Sequence, residues 1–370
     1  MVVETDFHHG PRQEGSRDMS RTFIYSGSPA HIVFGEGQCA AAGEWVEKLG
    51  CAKALVLSTP QQKADAEALA ARLGSLAVGV FGGAVMHTPV DVTEEAMDVV
   101  LRTQADCVVS LGGGSTTGLG KAIAYRTDLP QIVIPTTYAG SEVTPILGQT
   151  EGGRKTTVRH ASILPEVVIY DPALTLGLPV SMSITSGLNA MAHAVEALYA
   201  QDRNPISTLM AAEGLRAFKS SLPDIVAVPR AADVRADALY GAWLCGTVLG
   251  TVGMALHHKI CHTLGGAFDT PHAETHAIML PHTAAYNAAA VPELLAQVAD
   301  IFGGSVGGGL WDFARQIGSP LALKGLGLSE ADLDRAAEMA TENPYWNPRP
   351  IDRKSIRALL QDAWEGKRPA

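Results

Sequence analysis

Cys107-Val108-Val109-Ser110-Leu111-Gly112-Gly113-Gly114-Ser115-Thr116-Thr117-Gly118-Leu119-Gly120-Lys121 is the stretch from which the fold can be read. It opens as an apolar, β-prone run, passes through glycines, and continues as a helical pattern over 115–125. A strand that ends in glycines and enters a helix gathers free N–H groups and the positive end of the helix dipole around an anion, most often a pyrophosphate. Glycine is needed because a side chain would hold the phosphate away from the backbone. A glycine-rich turn can also do no more than reverse the chain, and the strand before it with the helix behind it is what favours phosphate. Gly112, Gly113, Gly114 and Ser115 are therefore expected to hold the pyrophosphate of a dinucleotide.

Outward from this loop, short β-rich runs alternate with helical ones from Lys53 to Asp171, the pattern of a parallel sheet covered by helices. Strands are expected at 54–58, 76–81, 107–111, 131–135 and 167–170, with helices at 61–73, 91–103 and 115–125. After the strand at 131–135, Thr136, Thr137, Tyr138 and Ser141 form a second loop of hydroxyls and small residues at the same sheet edge, where doubly wound sheets hold ligands. Its bland reading is a turn whose side chains satisfy their own backbone. Sites that insist on NADH place an acid near the end of an early strand for the ribose diol. Val56-Leu57-Ser58-Thr59-Pro60 has none, so NADPH is not excluded by charge.

Beyond Leu178-Pro179 the β-branched runs vanish and segments rich in Ala, Leu and Met follow, so the second half is expected to be all helical. Helices are expected at 181–200, 205–220, 234–250, 254–264, 272–289, 292–302, 310–317, 329–341 and 352–366. His258 and His262 share a helical face, as do Asn189 and His193, and Pro271 suits a helix start that sets His272 at its N-terminus. A lone histidine such as His257, His276 or His282 is more often a satisfied core residue than a catalyst. Three segments presenting histidines at matched spacing point instead to an acid/base or metal site.

Composition sets the bounds. With 46% hydrophobic and 18% charged residues the 370-residue chain can bury large cores, and its length suggests two domains. Its formal charge of -10 with no basic run argues against nucleic acid as a partner. The five cysteines are scattered and read as reduced core thiols of a cytoplasmic protein. No apolar run is long enough for a membrane span. Residues 1–20 have no signal-peptide core or periodicity and read as a disordered extension, with Met19 inside it as a natural start. The expected division is then 21–178 for an α/β dinucleotide-binding domain and 179–370 for an all-helical domain carrying the histidines.

The glycine loop, the Pro135-Thr136-Thr137 loop, and His258-x-x-x-His262 followed by Pro271-His272 together resemble the iron-containing, group III alcohol dehydrogenase family, over about residues 21–365. Met86-His87-Thr88-Pro89-Val90, the glycine stretch and the 135–144 loop are more narrowly similar to the branch of that family formed by maleylacetate reductases. The resemblance implies a Rossmann-like N-terminal domain, an all-α C-terminal domain, a cofactor cleft between them and a homodimer. It also implies NADH- or NADPH-dependent reduction of the carbon–carbon double bond of maleylacetate, a small dicarboxylate, to 3-oxoadipate in the breakdown of aromatic compounds.

In iron-dependent relatives an Asp and three His hold the metal. Asn189 stands at the Asp position here, and His193, His258 and His272 match the others. An amide is a neutral and poorer ligand than a carboxylate, although three imidazoles can still bind zinc. A second departure is Gly118, where many of the alcohol dehydrogenases have Asp. Both departures favour the reductase branch, for which no metal is expected to be required. Charge that appears on a conjugated ketone can be held by hydrogen-bond donors while a general acid protonates carbon. His193, His258, His262 and His272 are the candidates for those roles, with His87 and Lys155 as partners for a substrate carboxylate or the cofactor, Lys155 being counted with the cofactor site. The competing readings are a metal-dependent alcohol or polyol dehydrogenase of the same fold, a lyase of the dehydroquinate synthase type, and a nucleotide-binding protein without catalysis.

Overall fold

Unbroken apolar runs such as Ala54–Leu57 and Val167–Tyr170, buried at every position, need cover on both faces. The computed structural model, which describes residues 31–152 and 154–370 with Phe23, Tyr25 and Gly27, provides it by setting a six-stranded parallel sheet among helices. Of Arg154 and Lys155 only the backbone is described, and the extension expected over 1–20 lies outside the described residues.

The strands are β1 (His31–Phe34), β2 (Ala54–Leu57), β3 (Ala77–Phe81), β4 (Cys107–Gly112), β5 (Gln131–Pro135), β6 (Ile146–Glu151), β7 (Arg154–Arg159) and β8 (Val167–Tyr170). Their order is β1-β8-β5-β4-β2-β3, with β6 and β7 apart as an antiparallel hairpin. Helices α1 (Ala42–Lys48), α2 (Lys63–Leu73), α3 (Val90–Thr103) and α4 (Gly114–Thr127) connect the strands. Then come α5 (Val180–Tyr199), α6 (Pro205–Ala227), α7 (Ala232–Thr251), α8 (Leu256–Ala267) and α9 (His272–Ala288). The chain closes with α10 (Pro292–Phe302), α11 (Val306–Gln316), α12 (Asp332–Thr341) and α13 (Arg353–Glu365).

All five expected strands form, within a residue of their expected ends. Sequence reading missed β1, a four-residue edge strand, and the hairpin, whose β7 (Arg-Lys-Thr-Thr-Val-Arg) is too polar to show a core face. The helix expected to stop at Ser220 passes through Pro223 to Ala227. A proline forfeits one backbone bond, and burial of Leu222 and Ile225 on the helical core outweighs that loss.

α5 is the axis of the second half. It is buried at every position from Ser183 to Tyr199, which its nearly all-round apolar sequence permits. Its core continues through Tyr138, Val168 and Tyr170, so the sheet and the helices share one apolar interior. The Pro-Thr-Thr loop is clamped into the helical half by two devices. Gly140 meets Gly246 of α7 so closely that a Cβ on Gly246 would lie 2.2 Å from the Gly140 carbonyl oxygen. Arg235, fully buried, donates to Tyr138 Oη at 2.9 Å, to Ser183 Oγ at 2.7 Å and to the Leu178 carbonyl at 3.1 Å. The five cysteines are free and buried, and no single helix among the described residues is long and apolar enough to cross a membrane.

Candidate functional site

β4 and β5 lie side by side with Gly112 opposite Pro135, and the Thr136 N–H donates to the Gly112 carbonyl at 3.1 Å. The glycine loop and the Pro-Thr-Thr loop therefore emerge together at the carboxyl ends of adjacent strands. A Cβ at Gly113 would fall 2.8 Å from Thr137 Cγ2, whereas one at Gly114 meets nothing within 4 Å. The first turn of α4 thus offers open backbone, the cradle a pyrophosphate needs. Gln62 donates to Thr136 Oγ1 at 3.0 Å, and the buried Lys121 ammonium donates to Thr144 Oγ1 at 2.9 Å and to the Ile146 carbonyl at 3.0 Å. Burial pushes Lys121 down to about 7, with Glu142 opposing the shift. Lys121 is thereby a brace for the loop.

Gly112, Gly113, Gly114, Ser115, Thr136, Thr137 and Ser141 all fall at this edge. Tyr138 requires a correction. Its ring is fully buried, packs on Phe218 with centroids 6.3 Å apart, and spends its hydroxyl on Arg235, so its side chain serves the core and not the nucleotide. Lys155 lies on β7 opposite Thr150, and its side chain is outside the described residues. His87 and Thr88 have φ of 67° and 46°, rare for any side chain and most strained for a β-branched one. This bent pair puts Thr88 Oγ1 2.3 Å from where a Cβ of Gly118 would stand, which explains why an aspartate is absent there.

The second half of the site rises from α5, α8 and α9. Asn189, His193 and Glu196 follow one another at helical spacing along α5, and all three are buried. His258 Nδ1 lies 2.6 Å from Glu196 Oε2. The same carboxylate accepts from the Ala255 N–H at 2.9 Å, the His257 N–H at 2.7 Å and Tyr199 Oη at 3.2 Å. Burial alone would raise the Glu196 carboxyl. The His258 ring and its hydrogen bond, His257 and the Ala255 N–H overcome that and hold it at about 2. Glu196 is an ionised partner that keeps a proton on His258 Nδ1 and leaves Nε2, buried and unpartnered, for other work.

The rings gather around this pair. His193 stacks on His258 with centroids 5.2 Å apart, His262 meets His258 edge-on at 5.9 Å, and His272 lies 4.4 Å from His276. The structure therefore brings together all four expected histidines. His262 lies near Tyr345, its Nδ1 3.4 Å from the phenol oxygen. Burial, and then the imidazoles of His258, His257, His272 and His262, push His193 well below its ordinary value. Glu196 escaped the sequence reading, although its position three residues after His193 on the Asn189–His193 face was a usable signal.

The four positions that match the metal ligands of iron-dependent relatives do not fit a metal as they stand. Asn189 offers an amide whose Oδ1 is buried without a partner. Among the described residues, the groups whose donor atoms all lie within 4.8 Å of one another are His257-Cys261-His276 and Cys51-Asp106-Cys107, and His193, His258 and His272 form no such group. A surface cavity of about 430 Å³ is lined by Asp91, Glu94 and Glu151, and that acidic wall suits neither a phosphate nor a carboxylate.

Comparison with known proteins bears out the resemblance. Residues 29–172 match the iron-containing alcohol dehydrogenase family, and residues 183–364 match the C-terminal domain of the Fe-containing alcohol dehydrogenase family. The chain is 65% identical, over 94% of its length and 99% of the relative's, to a maleylacetate reductase of Rhizobium sp. strain MTP-10005. It is 52% identical, over 94% and 99%, to a maleylacetate reductase of Burkholderia cepacia. The crystal structure of maleylacetate reductase from Agrobacterium tumefaciens superposes with a TM-score of 0.92 at 65% identity, covering 94% of this chain and all of that one.

Proposed function

This chain belongs to the iron-containing alcohol dehydrogenase family, and we propose that it reduces the carbon–carbon double bond of maleylacetate to 3-oxoadipate with NADH or NADPH, in the breakdown of aromatic compounds. The observation that carries this is 65% identity across 99% of a maleylacetate reductase, in a chain that carries both an open glycine loop at the sheet edge and a cluster of buried histidines.

The family is nicotinamide-linked, and the open first turn of α4 with the Thr136-Thr137 loop fits the pyrophosphate. When bound, reduced nicotinamide supplies a hydride for the carbon β to the substrate ketone. The chain's own residues then have two tasks, to hold the negative charge that appears on the ketone oxygen and to deliver a proton to the adjacent carbon. His258 suits proton delivery, since Glu196 holds Nδ1 and orients the ring while Nε2 is left for the substrate. His193, His262 and His272 supply the remaining imidazoles for the oxygen and the carboxylates.

Metal is not required in this reading. Asn189 in place of an anionic ligand, and the spread of the three imidazoles, support it. A cytoplasmic homodimer is part of the same proposal, and light scattering at twice the chain mass tests the dimer. The absence of an acid after β2 supports use of both cofactors within roughly one or two orders of magnitude of each other. The deciding experiment follows the near-ultraviolet band of NADH or NADPH with freshly made maleylacetate, with chelator and without it. Consumption that needs maleylacetate and survives chelation is expected. No consumption, or consumption only with added Fe²⁺ or Zn²⁺, overturns the respective part.

A further inference from the structure

His276 and His257 lie outside the expected catalytic set, both fully buried, and they form a chain of hydrogen bonds with a readable direction. Thr283 Oγ1 donates to the Met279 carbonyl at 3.0 Å, the usual back-bond of a helical threonine. Its 2.9 Å contact with His257 Nδ1 then runs from the ring N–H to the hydroxyl oxygen. A neutral imidazole has a single N–H, so His257 Nε2 carries a lone pair, and the 3.0 Å contact with His276 Nδ1 is donated by His276. The same step makes His276 Nε2 a lone pair. The opposite polarity, or a charged His276, would leave Nε2–H a buried donor, because Nε2 has no partner, and orphaned donors are rarer than orphaned acceptors. Cys261 Sγ, 3.6 Å from His257 Nε2, is a weak donor that fits the first direction. The His257-Cys261-His276 group is thus a hydrogen-bonded relay.

The relay ends among the reacting rings. His276 is one turn after His272 on α9, with ring centroids 4.4 Å apart and tilted by 54°, and its other side meets His258 at 5.1 Å. We propose that His276 is a positioning residue whose Nε2 lone pair accepts an N–H of His272 and so sets the orientation in which His272 meets the substrate. A turn of the His272 ring about its soft terminal torsion completes the bond. The role given to His272 rests on the reductase reading above, whereas the polarity of the relay does not.

Two substitutions separate this from a purely structural role. Glutamine can place an amide oxygen near the Nε2 position, and asparagine an amide nitrogen near Nδ1. His276→Gln is expected to keep kcat within about threefold, while His276→Asn keeps the cofactor KM and loses roughly tenfold or more in kcat. The reverse ranking, or equal kcat in the two variants, overturns the proposal. Histidine ¹⁵N NMR of the native protein, assigned through the signal lost in His276→Gln, reads the polarity without any substrate. An unprotonated Nε2 is expected, and a proton found there overturns the proposal even if both variants fold poorly. Failure of the native protein to turn over maleylacetate would strike the reaction and leave that spectrum unchanged.

Discussion

His258 Nδ1 and Glu196 Oε2 lie 2.6 Å apart, both side chains buried, and join α8 to α5 beneath the histidine cluster. The carboxylate fixes which nitrogen of His258 is committed and which is left for chemistry. Glu196→Gln keeps the shape and removes the charge. We expect kcat to fall by roughly 10- to 100-fold, as for other lost partners of a working imidazole, with cofactor affinity unchanged. Steady-state kinetics and cofactor fluorescence titration check this, and an unchanged kcat would show that His258 does not act as the proton donor.

Stability should fall early in acid. Burial first, then neighbouring imidazoles, hold His193 and His276 well below the ordinary histidine value and His257 at about 3, and burial holds His282 at about 4. These folded values lie below the unfolded one, so the stabilisation is complete above the unfolded value of 6.5 and is lost as pH falls beneath it. Each group then costs on the order of 1 kcal/mol by one pH unit below that value. Glu196, at about 2 against an ordinary 4.5, adds its own loss only as pH falls below 4.5. Thermal melts from pH 7.5 downward should show Tm dropping before carboxylates titrate, and a Tm flat to about pH 5 would contradict the buried, neutral histidines.

Gly113→Val should abolish close approach at the nucleotide loop, because even a Cβ there stands 2.8 Å from Thr137 Cγ2. NADH and NADPH affinity should fall by at least roughly tenfold while circular dichroism of the helices is retained. Native affinity in that variant would remove the glycine loop from the cofactor site.

Exhaustive chelation should leave turnover nearly intact, since Asn189 cannot replace a carboxylate ligand. His258→Ala or His262→Ala should instead lower the rate by roughly 10²- to 10⁴-fold, the range for a lost general acid. Activity abolished by chelator and restored by Fe²⁺ would make His193, His258 and His272 ligands.

Much of this protein was legible from local chemistry. Five of the six strands of the parallel sheet, the glycine loop and its helix, the switch to helices after Leu178-Pro179, and the shared faces of Asn189 with His193 and of His258 with His262 follow from composition and spacing along a single element. β1 and the β6–β7 hairpin did not show, because a four-residue edge strand and a polar ribbon carry little apolar periodicity. Tyr138 misled for a related reason. A tyrosine in a ligand loop looks the same in sequence whether it faces a nucleotide or, as here, a buried arginine 97 residues away.

The amino-acid sequence by itself determined the layered architecture and the histidine inventory, since hydrophobic period and glycine placement act over a few residues. Tertiary structure alone decided that Glu196 stands 62 residues from His258 yet bonds it, and that His257, His276 and Thr283 align into one polarised relay. Such pairings depend on how α5, α8 and α9 pack, and packing minimises the free energy of the whole core, a quantity no short window of sequence contains.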